Sequence, residues 1–452
     1  MIYYPLLFLL KLAIGSFFRK IEITGKENLP KKGSAVFVVN HPNALIDPLL
    51  VTIIAGRQLH YIAGAEFFGN KLTSWFLRKQ CNMVPVYRPN IYKGESVNND
   101  HMFEHCYKAL ANNGVINIFS EGTSEIERRV NSLKSGTARM VLGAEKQINK
   151  KIPIIPIGLN YAESFRFRSD VLISIGESFT LDDIEETDER EIVKVHTLRV
   201  WEKLKQQVIH IEDETLTTTI ERLEYVFSNQ LHDGKSIDST ESLLKKKFKL
   251  TKELIKAIEH FNAKSPALIL SIQDQLEDYY QKIQEIPMRG KLMNYVNTNN
   301  SFLELLGLTF LFPLFLLGLA INAIPFYLAI AVFRKKYYAR ITDTTNPNKI
   351  KLSFGRTVAF SVGSLLFVAW YIMLGIIYFN MFPWWWGLML LAISYGLGLM
   401  SLRYISFFRT VKDRFACRRI LRKYPNEIEA LIQLRGKIIE EVKGLIEKVK
   451  NC

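Results

Sequence analysis

The stretch Ser34-Ala-Val-Phe-Val-Val-Asn-His-Pro-Asn-Ala-Leu-Ile-Asp-Pro-Leu-Leu-Val-Thr-Ile-Ile-Ala55 decides the fold of the first half of the chain. Its first residues, Ser34–Val39, form a short apolar run that is typical of a buried strand. A turn with proline and asparagine follows, and Asp47–Ala55 has the pattern of a helix. A strand that leads directly into a helix predicts a layered α/β domain. His41 lies where the strand ends, and Asp47 lies where the helix begins.

The same alternation of apolar runs and amphipathic stretches continues to about residue 176. Strands are predicted at 83–88, 115–119, 152–159 and 171–175, and helices at 71–79, 100–112 and 136–147. Strands that alternate with helices predict a largely parallel sheet. From Leu181 to Arg289 only helical patterns remain, with apolar residues at 3.6 spacing and charged outer faces.

Two segments near the C-terminus are apolar enough to span a membrane, which takes about 20 helical residues. They run from Val358 to Phe379 and from Trp384 to Leu402, and neither contains a charged residue. The short link Asn380–Pro383 and the tryptophans that follow it are typical of a hairpin tip at a membrane interface. We therefore expect a transmembrane hairpin; a hairpin buried in a soluble domain is the alternative.

A third apolar stretch, Phe302–Phe333, is too long for one upright span and is interrupted by Pro313, Asn322 and Pro325. We expect a shorter membrane hairpin that turns near Ala320–Ala323. One kinked span is the alternative.

Charges near these segments predict their orientation. Lys and Arg flank the apolar segments at Arg334, Lys335, Lys336, Arg340, Arg403 and Arg409, whereas the tip Asn380–Pro383 carries none. Cationic loops favour the cytoplasmic side, so we expect an integral membrane protein with its head on the cytoplasmic face.

The composition of the chain indicates which kinds of partner it can bind and which kinds of module it lacks. The chain has 452 residues and a net charge of +15, which suits an anionic lipid surface, and it has no recognisable nucleic-acid-binding module. Its four cysteines form no CxxC pair, so we expect neither a disulfide framework nor a zinc module. Residues 1–20 lack the basic start and small-residue cleavage site of a signal peptide and read as an interfacial or half-inserted anchor helix.

The sequence thus predicts six segments. They are the anchor helix 1–20, an α/β domain 21–180, a helical region 181–300, a membrane hairpin 301–334, a transmembrane hairpin 356–403 and a cytoplasmic helical tail 410–452.

His41 and Asp47 are the first candidates for chemistry. Open α/β sheets place their sites at strand ends, where His41 lies. An Asp47 carboxylate on one imidazole nitrogen would fix the tautomer and leave the other nitrogen free to accept a proton. Taken alone, a purely structural His–Asp pair is equally consistent with this pattern.

A second group of polar residues follows the strand at 115–119. Glu121-Gly122-Thr123 supplies a carboxylate, a glycine that permits close backbone approach, and a hydroxyl. Lys134 precedes a predicted helix whose N-terminal amides favour an anion. Arg88 ends another strand and adds a cation.

These blocks, in this order, resemble the glycerolipid acyltransferase family over about residues 20–180. The resemblance rests on His41–Asp47, Val84–Arg88, Phe119–Thr123 and the proline-containing strand Ile152–Ile157. It implies an α/β acyltransferase head with a mostly parallel sheet, followed by a helical region and C-terminal transmembrane helices.

The resemblance also implies roles. His41 is the general base that deprotonates an acceptor hydroxyl, and Asp47 orients it. Arg88, Glu121, Gly122, Thr123 and Lys134 bind a glycerol-phosphate acceptor, and Pro156 shapes the acyl side. The partners are membrane lipids, the acceptor and an acyl thioester donor, either acyl-CoA or acyl carrier protein, and no bound cofactor or metal is required.

Two departures bear on the acceptor. Five residues separate His41 from Asp47, one more than usual, which resembles the variant found in some glycerol-3-phosphate acyltransferases. Ser124 stands where the family often has an arginine. We expect an O-acyltransferase that acts on glycerol 3-phosphate or 1-acylglycerol 3-phosphate. A non-catalytic lipid-binding or scaffold protein with an acyltransferase-like head is the alternative.

Overall fold

The computed structural model describes residues 3–88, 91–92, 98–125, 127–163, 167–182, 184, 188–228, 242–286, 301–335 and 352–451. The chain divides into two compact units. Unit 1 comprises Met1–His210 with Lys336–Phe360, and unit 2 comprises Ile211–Lys335 with Ser361–Cys452.

Unit 1 is built on a seven-stranded sheet. Its strands are β1 Lys20–Thr24, β2 Ala35–Val39, β3 Leu59–Gly64, β4 Met83–Val86, β5 Val115–Ile118, β6 Ile154–Tyr161 and β7 Asp170–Ile175. They lie in the order β1-β7-β6-β2-β5-β3-β4. The five strands β6, β2, β5, β3 and β4 are mutually parallel, and only the β6–β7 pair is antiparallel. The mostly parallel sheet predicted from the sequence is thus present, with β1 and β3 as additional strands.

Helices cover this sheet. They are α1 Tyr3–Phe17, α2 Ile46–Ile54, α3 Lys71–Lys79, α4 Asp100–Ala111, α5 Gly136–Ile148 and α6 Glu189–Lys205. Helix α6 packs against α5 and β6 and buries Val200 and Leu204 with the core residues of that face. Unit 1 extends to His210. The sheet ends with β7, and unit 1 continues with helix α6, which packs against α5 and β6.

The central strand β2 is buried along its whole length, as the apolar run predicts. Just beyond it, the Asn40 side-chain amide donates to the Leu159 carbonyl at 3.2 Å and accepts from the Leu159 backbone N–H at 2.7 Å. These two bonds fix the end of β2 to the neighbouring β6. The residue that follows, His41, therefore leaves the sheet at a defined place.

Unit 2 is helical. It contains α7 Thr217–Phe227, α8 Leu243–Lys264, α9 Pro266–Glu285, α10 Ser301–Phe333, the main part of α11 Leu352–Met381, α12 Trp384–Lys423 and α13 Pro425–Lys450. Helix α13 packs against α7, α8 and α9. The buried Arg435 of α13 donates to the carbonyls of Tyr225 and Val226, which lie in the last turn of α7. It thereby satisfies carbonyls that a helix end leaves without an intrahelical partner.

Three helices in the described part of the chain are long and apolar enough to cross a membrane: Leu303–Phe333, Val358–Met381 and Trp384–Lys423. The chain is therefore a membrane protein. Helices α11 and α12 are joined at Phe382–Pro383, where the sequence predicts the tip of a hairpin.

The expected hairpin turn near Ala320–Ala323 is wrong, because α10 is one continuous helix. Asn322 does not end the helix: its side-chain amide donates to the Gly318 carbonyl at 3.0 Å and to the Ser394 carbonyl of α12 at 3.3 Å. The Tyr371 hydroxyl of α11 donates to the Asn322 oxygen at 2.9 Å. Neighbouring helices thus satisfy the polar side chain that the sequence suggests as a turn residue.

Candidate active site

The predicted site residues follow the carboxyl ends of the parallel strands. His41 follows β2, the Phe119–Ser124 turn follows β5, and Arg88 follows β4. Because parallel strands end at one edge of the sheet, the topology brings these three segments together. Two residues that sequence reasoning did not select lie at the same edge: Glu66 after β3 and Tyr161 at the end of β6.

His41 and Asp47 form a hydrogen-bonded pair. The imidazole Nδ1 lies 2.9 Å from the Asp47 Oδ2 atom. The Asp47 side chain is fully buried, whereas the His41 side chain is 20% exposed. A buried carboxylate on Nδ1 favours the tautomer with the proton on that nitrogen and leaves Nε2 to accept a proton. In the described part of the chain, Nε2 has no hydrogen-bond partner.

Two more donors fix the Asp47 carboxylate. The Asn43 backbone N–H donates to Oδ2 at 2.7 Å, and the Tyr161 hydroxyl donates to Oδ1 at 2.5 Å. With His41, the carboxylate has three donors on its two oxygens. A buried carboxylate needs such partners to stay ionised, and the same bonds hold its orientation. Asp47 is therefore a fixed anchor for the imidazole.

Phe119 and Glu121 support His41 from the β5 side. The His41 and Phe119 rings are stacked, with centroids 4.1 Å apart. The Glu121 Oε1 atom accepts the His41 backbone N–H at 3.0 Å, and its Oε2 atom accepts the Asn131 backbone N–H at 3.1 Å. Glu121 thus joins the turn after β2 to the loop that precedes α5. Burial raises the pKa of this carboxyl, while the amides of Asn131 and His41 oppose that shift.

The turn between His41 and Asp47 includes a residue in the left-handed region. Ala44 has a φ of 43°, a conformation that alanine rarely adopts. Its backbone N–H donates to the Ser124 Oγ atom at 2.9 Å, and Ser124 is buried. The two departures from the family pattern are therefore in contact: the serine that replaces an arginine holds the turn of the lengthened first block.

Arg88 connects the turn after β5 to the segment after β3. Its Nη1 donates to the Gly122 carbonyl at 3.1 Å, and its Nη2 pairs with Glu66 Oε1 at 2.7 Å. Gly122 lies in the left-handed region with a φ of 73°, which suits a glycine at this turn. The Arg88 side chain remains 29% exposed, so part of it is open to solvent.

Thr123 and Lys134 are exposed at the same turn. The Lys134 backbone N–H donates to the Ser120 carbonyl at 2.8 Å, which places this residue beside the Glu121–Thr123 turn. In the described ranges the Lys134 ammonium forms no ion pair. The exposed cation and hydroxyl thus lie at the turn that carries Glu121. Pro156 lies within β6, opposite Val38 of β2.

The described residues contain no group of three or more His, Cys, Asp or Glu that could hold a metal ion. The His105 Nε2 atom lies 3.3 Å from the Nδ1 atom of His60. The chemistry that the arrangement offers is acid–base: a positioned imidazole with one free nitrogen beside exposed cationic and hydroxyl groups.

Tyr161 and Ser124 show what the sequence patterns left out. Tyr161 is seven positions past the start of β6, and only the parallel register of Val39 with Ile157 shows that it reaches the dyad. In the sequence, the one indication that Tyr161 belongs to the site is that it follows the proline-containing strand Ile152–Ile157. Ser124 belongs to a block already selected, but its role depends on a turn whose conformation the sequence does not reveal.

Residues 20–160 match the family model described as Acyltransferase. The chain is 21% identical over 326 residues to glycerol-3-phosphate O-acyltransferase 1 of Saccharomyces cerevisiae, which covers 67% of this chain and 42% of the yeast protein. It is 31% identical over 94 residues to glycerol-3-phosphate O-acyltransferase 2 of the same yeast, which covers 21% of this chain and 13% of that protein. The match thus spans less than half the length of either yeast protein.

Among solved structures, the 1-acyl-sn-glycerophosphate acyltransferase PlsC of Thermotoga maritima is similar at 21% identity and a TM-score of 0.32, over 45% of this chain and 81% of that chain. The family model lies on the unit that carries the His41–Asp47 pair, and both yeast relatives are glycerolipid acyltransferases by name. Residues 20–160 are therefore similar to acyltransferases, and the yeast relatives carry glycerol-3-phosphate O-acyltransferase names.

Proposed function

We propose that the protein transfers a fatty acyl group from an acyl thioester to the hydroxyl of glycerol 3-phosphate. One observation carries the proposal: the 2.9 Å bond between His41 Nδ1 and a fully buried Asp47, with Nε2 left for the substrate. This arrangement suits a general base for a weakly acidic hydroxyl.

In the proposed reaction, His41 Nε2 takes the proton of the acceptor hydroxyl as its oxygen attacks the thioester carbonyl. The new C–O bond forms, the C–S bond breaks, and the thiolate takes the proton from the imidazolium. Asp47 stabilises the transient positive charge on the imidazole, because its carboxylate is fixed by Asn43 and Tyr161. No acyl group is attached to the enzyme at any step.

The acceptor phosphate is proposed to lie beside Arg88, Thr123 and Lys134. Arg88 is held by the Gly122 carbonyl and Glu66 but stays partly exposed, and Lys134 offers an ammonium without an ion pair among the described residues. Both suit a phosphate monoester. Glu121 has each carboxylate oxygen on a backbone amide, so we propose that it positions His41.

Two observations favour glycerol 3-phosphate over its 1-acyl derivative as the acceptor. The five-residue spacing between His41 and Asp47 resembles a variant found in some glycerol-3-phosphate acyltransferases, and both yeast relatives carry glycerol-3-phosphate acyltransferase names. The test is an acyl-transfer assay on the purified full chain in lipid, with acyl-CoA and acyl carrier protein as donors. Labelled glycerol 3-phosphate and lysophosphatidate are offered in parallel. Transfer to lysophosphatidate alone would contradict the proposed acceptor.

We also propose that the active site faces the cytoplasm. Helix α13 follows the apolar helices and packs against α8 and α9, which precede them, so both flanks lie on one side of the bilayer. Helix α10 runs antiparallel to α12, because the Tyr404 hydroxyl of α12 donates to the Leu308 carbonyl at 3.2 Å and Asn322 donates to the Ser394 carbonyl at 3.3 Å. The end of α10 at Phe333 therefore lies towards the Trp384 end of α12, and we propose that Arg334 lies on the side of the bilayer opposite the active site.

This orientation is tested with single cysteines at Arg334 and Asn380 in sealed vesicles whose cytoplasmic face points outward. We expect an impermeant maleimide to label both positions only after permeabilisation, because both lie at the Trp384 end of α12. Labelling of either position in intact vesicles would contradict this orientation.

A further inference from the structure

Helix α3 has an apolar face that the rest of the protein leaves uncovered. Leu72, Trp75 and Phe76 are 75%, 52% and 38% exposed, and no residue of this helix is buried. These positions are spaced i, i+3 and i+4, so their side chains lie on one face of the helix. A helix that folds onto a protein core normally buries such a face.

The charges of α3 indicate which kind of surface its apolar face contacts. Lys71, Arg78 and Lys79 are exposed, and the helix contains no acidic residue. An exposed tryptophan on a short amphipathic helix with lysine and arginine at its edges is the pattern of a helix that lies in a membrane interface. Anionic lipid headgroups would complement the cations, whose aliphatic stems can lie along the apolar surface.

The surface continues beyond α3. Phe67, in the 3₁₀ turn Ala65–Phe68 that precedes the helix, is 50% exposed. Helix α1 of the same unit also exposes aromatic residues. The α1 residues Tyr4 and Phe8 are themselves 76% and 61% exposed.

This surface adjoins the catalytic edge of the sheet. The 3₁₀ turn that carries Phe67 also carries Glu66, whose carboxylate pairs with Arg88. Arg88 in turn donates to the Gly122 carbonyl in the turn after β5. The Glu66–Arg88 ion pair thus connects the turn that carries Phe67 to the proposed phosphate site.

We propose that Phe67, Leu72, Trp75 and Phe76 insert into the interfacial region of an anionic lipid leaflet, and that this contact sets the depth of the Arg88 end of the active site. The proposal concerns a surface of unit 1 and does not depend on which acceptor the enzyme uses. Membrane insertion is measured without turnover, so its failure and the failure of the proposed activity are distinguishable.

The test uses the full chain with its four native cysteines replaced and one cysteine introduced at Leu72 or at Trp75. Each is labelled with the polarity-sensitive fluorophore NBD and reconstituted into phosphatidylcholine vesicles with or without phosphatidylglycerol. Glu104→Cys, on the exposed face of α4, is the matched control. We expect blue-shifted emission at the α3 positions and quenching by spin labels placed near the headgroups, with neither effect at position 104.

Three results would overturn the proposal. The first is emission at positions 72 and 75 that equals that of the control. The second is a blue shift without quenching by lipid spin labels, which would mean that a protein surface covers α3. The third is equal insertion with and without phosphatidylglycerol, and again after charge reversal at Lys71, Arg78 and Lys79, which would remove the role of anionic lipid.

Discussion

The Tyr161 hydroxyl donates a 2.5 Å hydrogen bond to Asp47 Oδ1, on the side of the carboxylate opposite the His41 imidazole at Oδ2. Asp47 is fully buried, so each of these bonds restricts a group that water does not reach. Tyr161 therefore acts on the proposed reaction through Asp47 and is a positioning residue.

Replacing Tyr161 with Phe should lower kcat by about 10- to 100-fold and leave KM nearly unchanged, because a hydrogen bond to a charged group contributes about 1.5–3 kcal/mol. Without this donor the Asp47 carboxylate is held less firmly and orients the imidazole less well. Separate measurement of kcat and KM checks the effect. Tyr107→Phe, a half-exposed tyrosine of α4, is the control. An unchanged kcat with reduced thermal stability would assign Tyr161 a structural role only.

Ser124→Ala should destabilise the turn at Ala44, because a buried backbone N–H loses its acceptor. The expected cost is about 1–3 kcal/mol, seen as a lower thermal transition in detergent. Adding Ala44→Gly should restore part of the loss, since glycine adopts the left-handed conformation without strain. Ser135→Ala, where the serine makes no side-chain capping bond, should change nothing. Equal transitions for Ser124→Ala and Ser135→Ala would show that the Ser124–Ala44 bond contributes nothing.

Glu121→Gln should change how stability depends on pH. Burial raises the pKa of the Glu121 carboxyl above 4.5, so the folded protein holds this proton more tightly than the unfolded chain. Between 4.5 and the raised pKa, the wild type should therefore lose stability relative to Glu121→Gln as the pH rises. Thermal unfolding of both proteins across this range measures the difference. A stability difference that is constant with pH would contradict the burial argument.

Asn322→Ala should weaken the packing of the three apolar helices, because it removes bonds to Gly318, Ser394 and Tyr371. Each such bond in a membrane contributes about 0.6 kcal/mol, so a loss of about 1–2 kcal/mol is expected. Unfolding in detergent measures it. Asn380→Ala, at the exposed tip of the hairpin, is the control, and it should leave the transition unchanged. A similar effect of both substitutions would exclude a specific role for Asn322.

The sequence predicted those parts of the fold that local patterns encode. The run Ser34–Val39 became the buried strand β2, and the positions of His41, Arg88 and Glu121 at strand ends placed them at one sheet edge. The sequence pattern gave a wrong prediction where contacts between distant helices determine the local structure. Asn322 reads as a turn residue until Ser394 and Tyr371 are seen to satisfy its side chain.

The site shows the same division. His41 and Asp47 are recognisable from spacing, because a strand and a helix follow each other in the chain. Tyr161 lies 114 residues from Asp47 and reaches it only because β6 is the neighbour of β2 in the sheet. Ser124 depends likewise on the backbone conformation of Ala44. The order and register of the strands and the backbone conformation of single turn residues cannot be read from composition or periodicity.

The central claim is that His41, oriented by Asp47, removes the proton from the acceptor hydroxyl. The most direct measurement is acyl transfer to labelled glycerol 3-phosphate by the wild type, His41→Ala and Asp47→Asn, each reconstituted in lipid and checked for an unchanged thermal transition. Our account predicts loss of about 10²–10⁴-fold in kcat for His41→Ala, the usual contribution of a general base, and a smaller loss for Asp47→Asn. Transfer by a folded His41→Ala protein at the wild-type rate would contradict it.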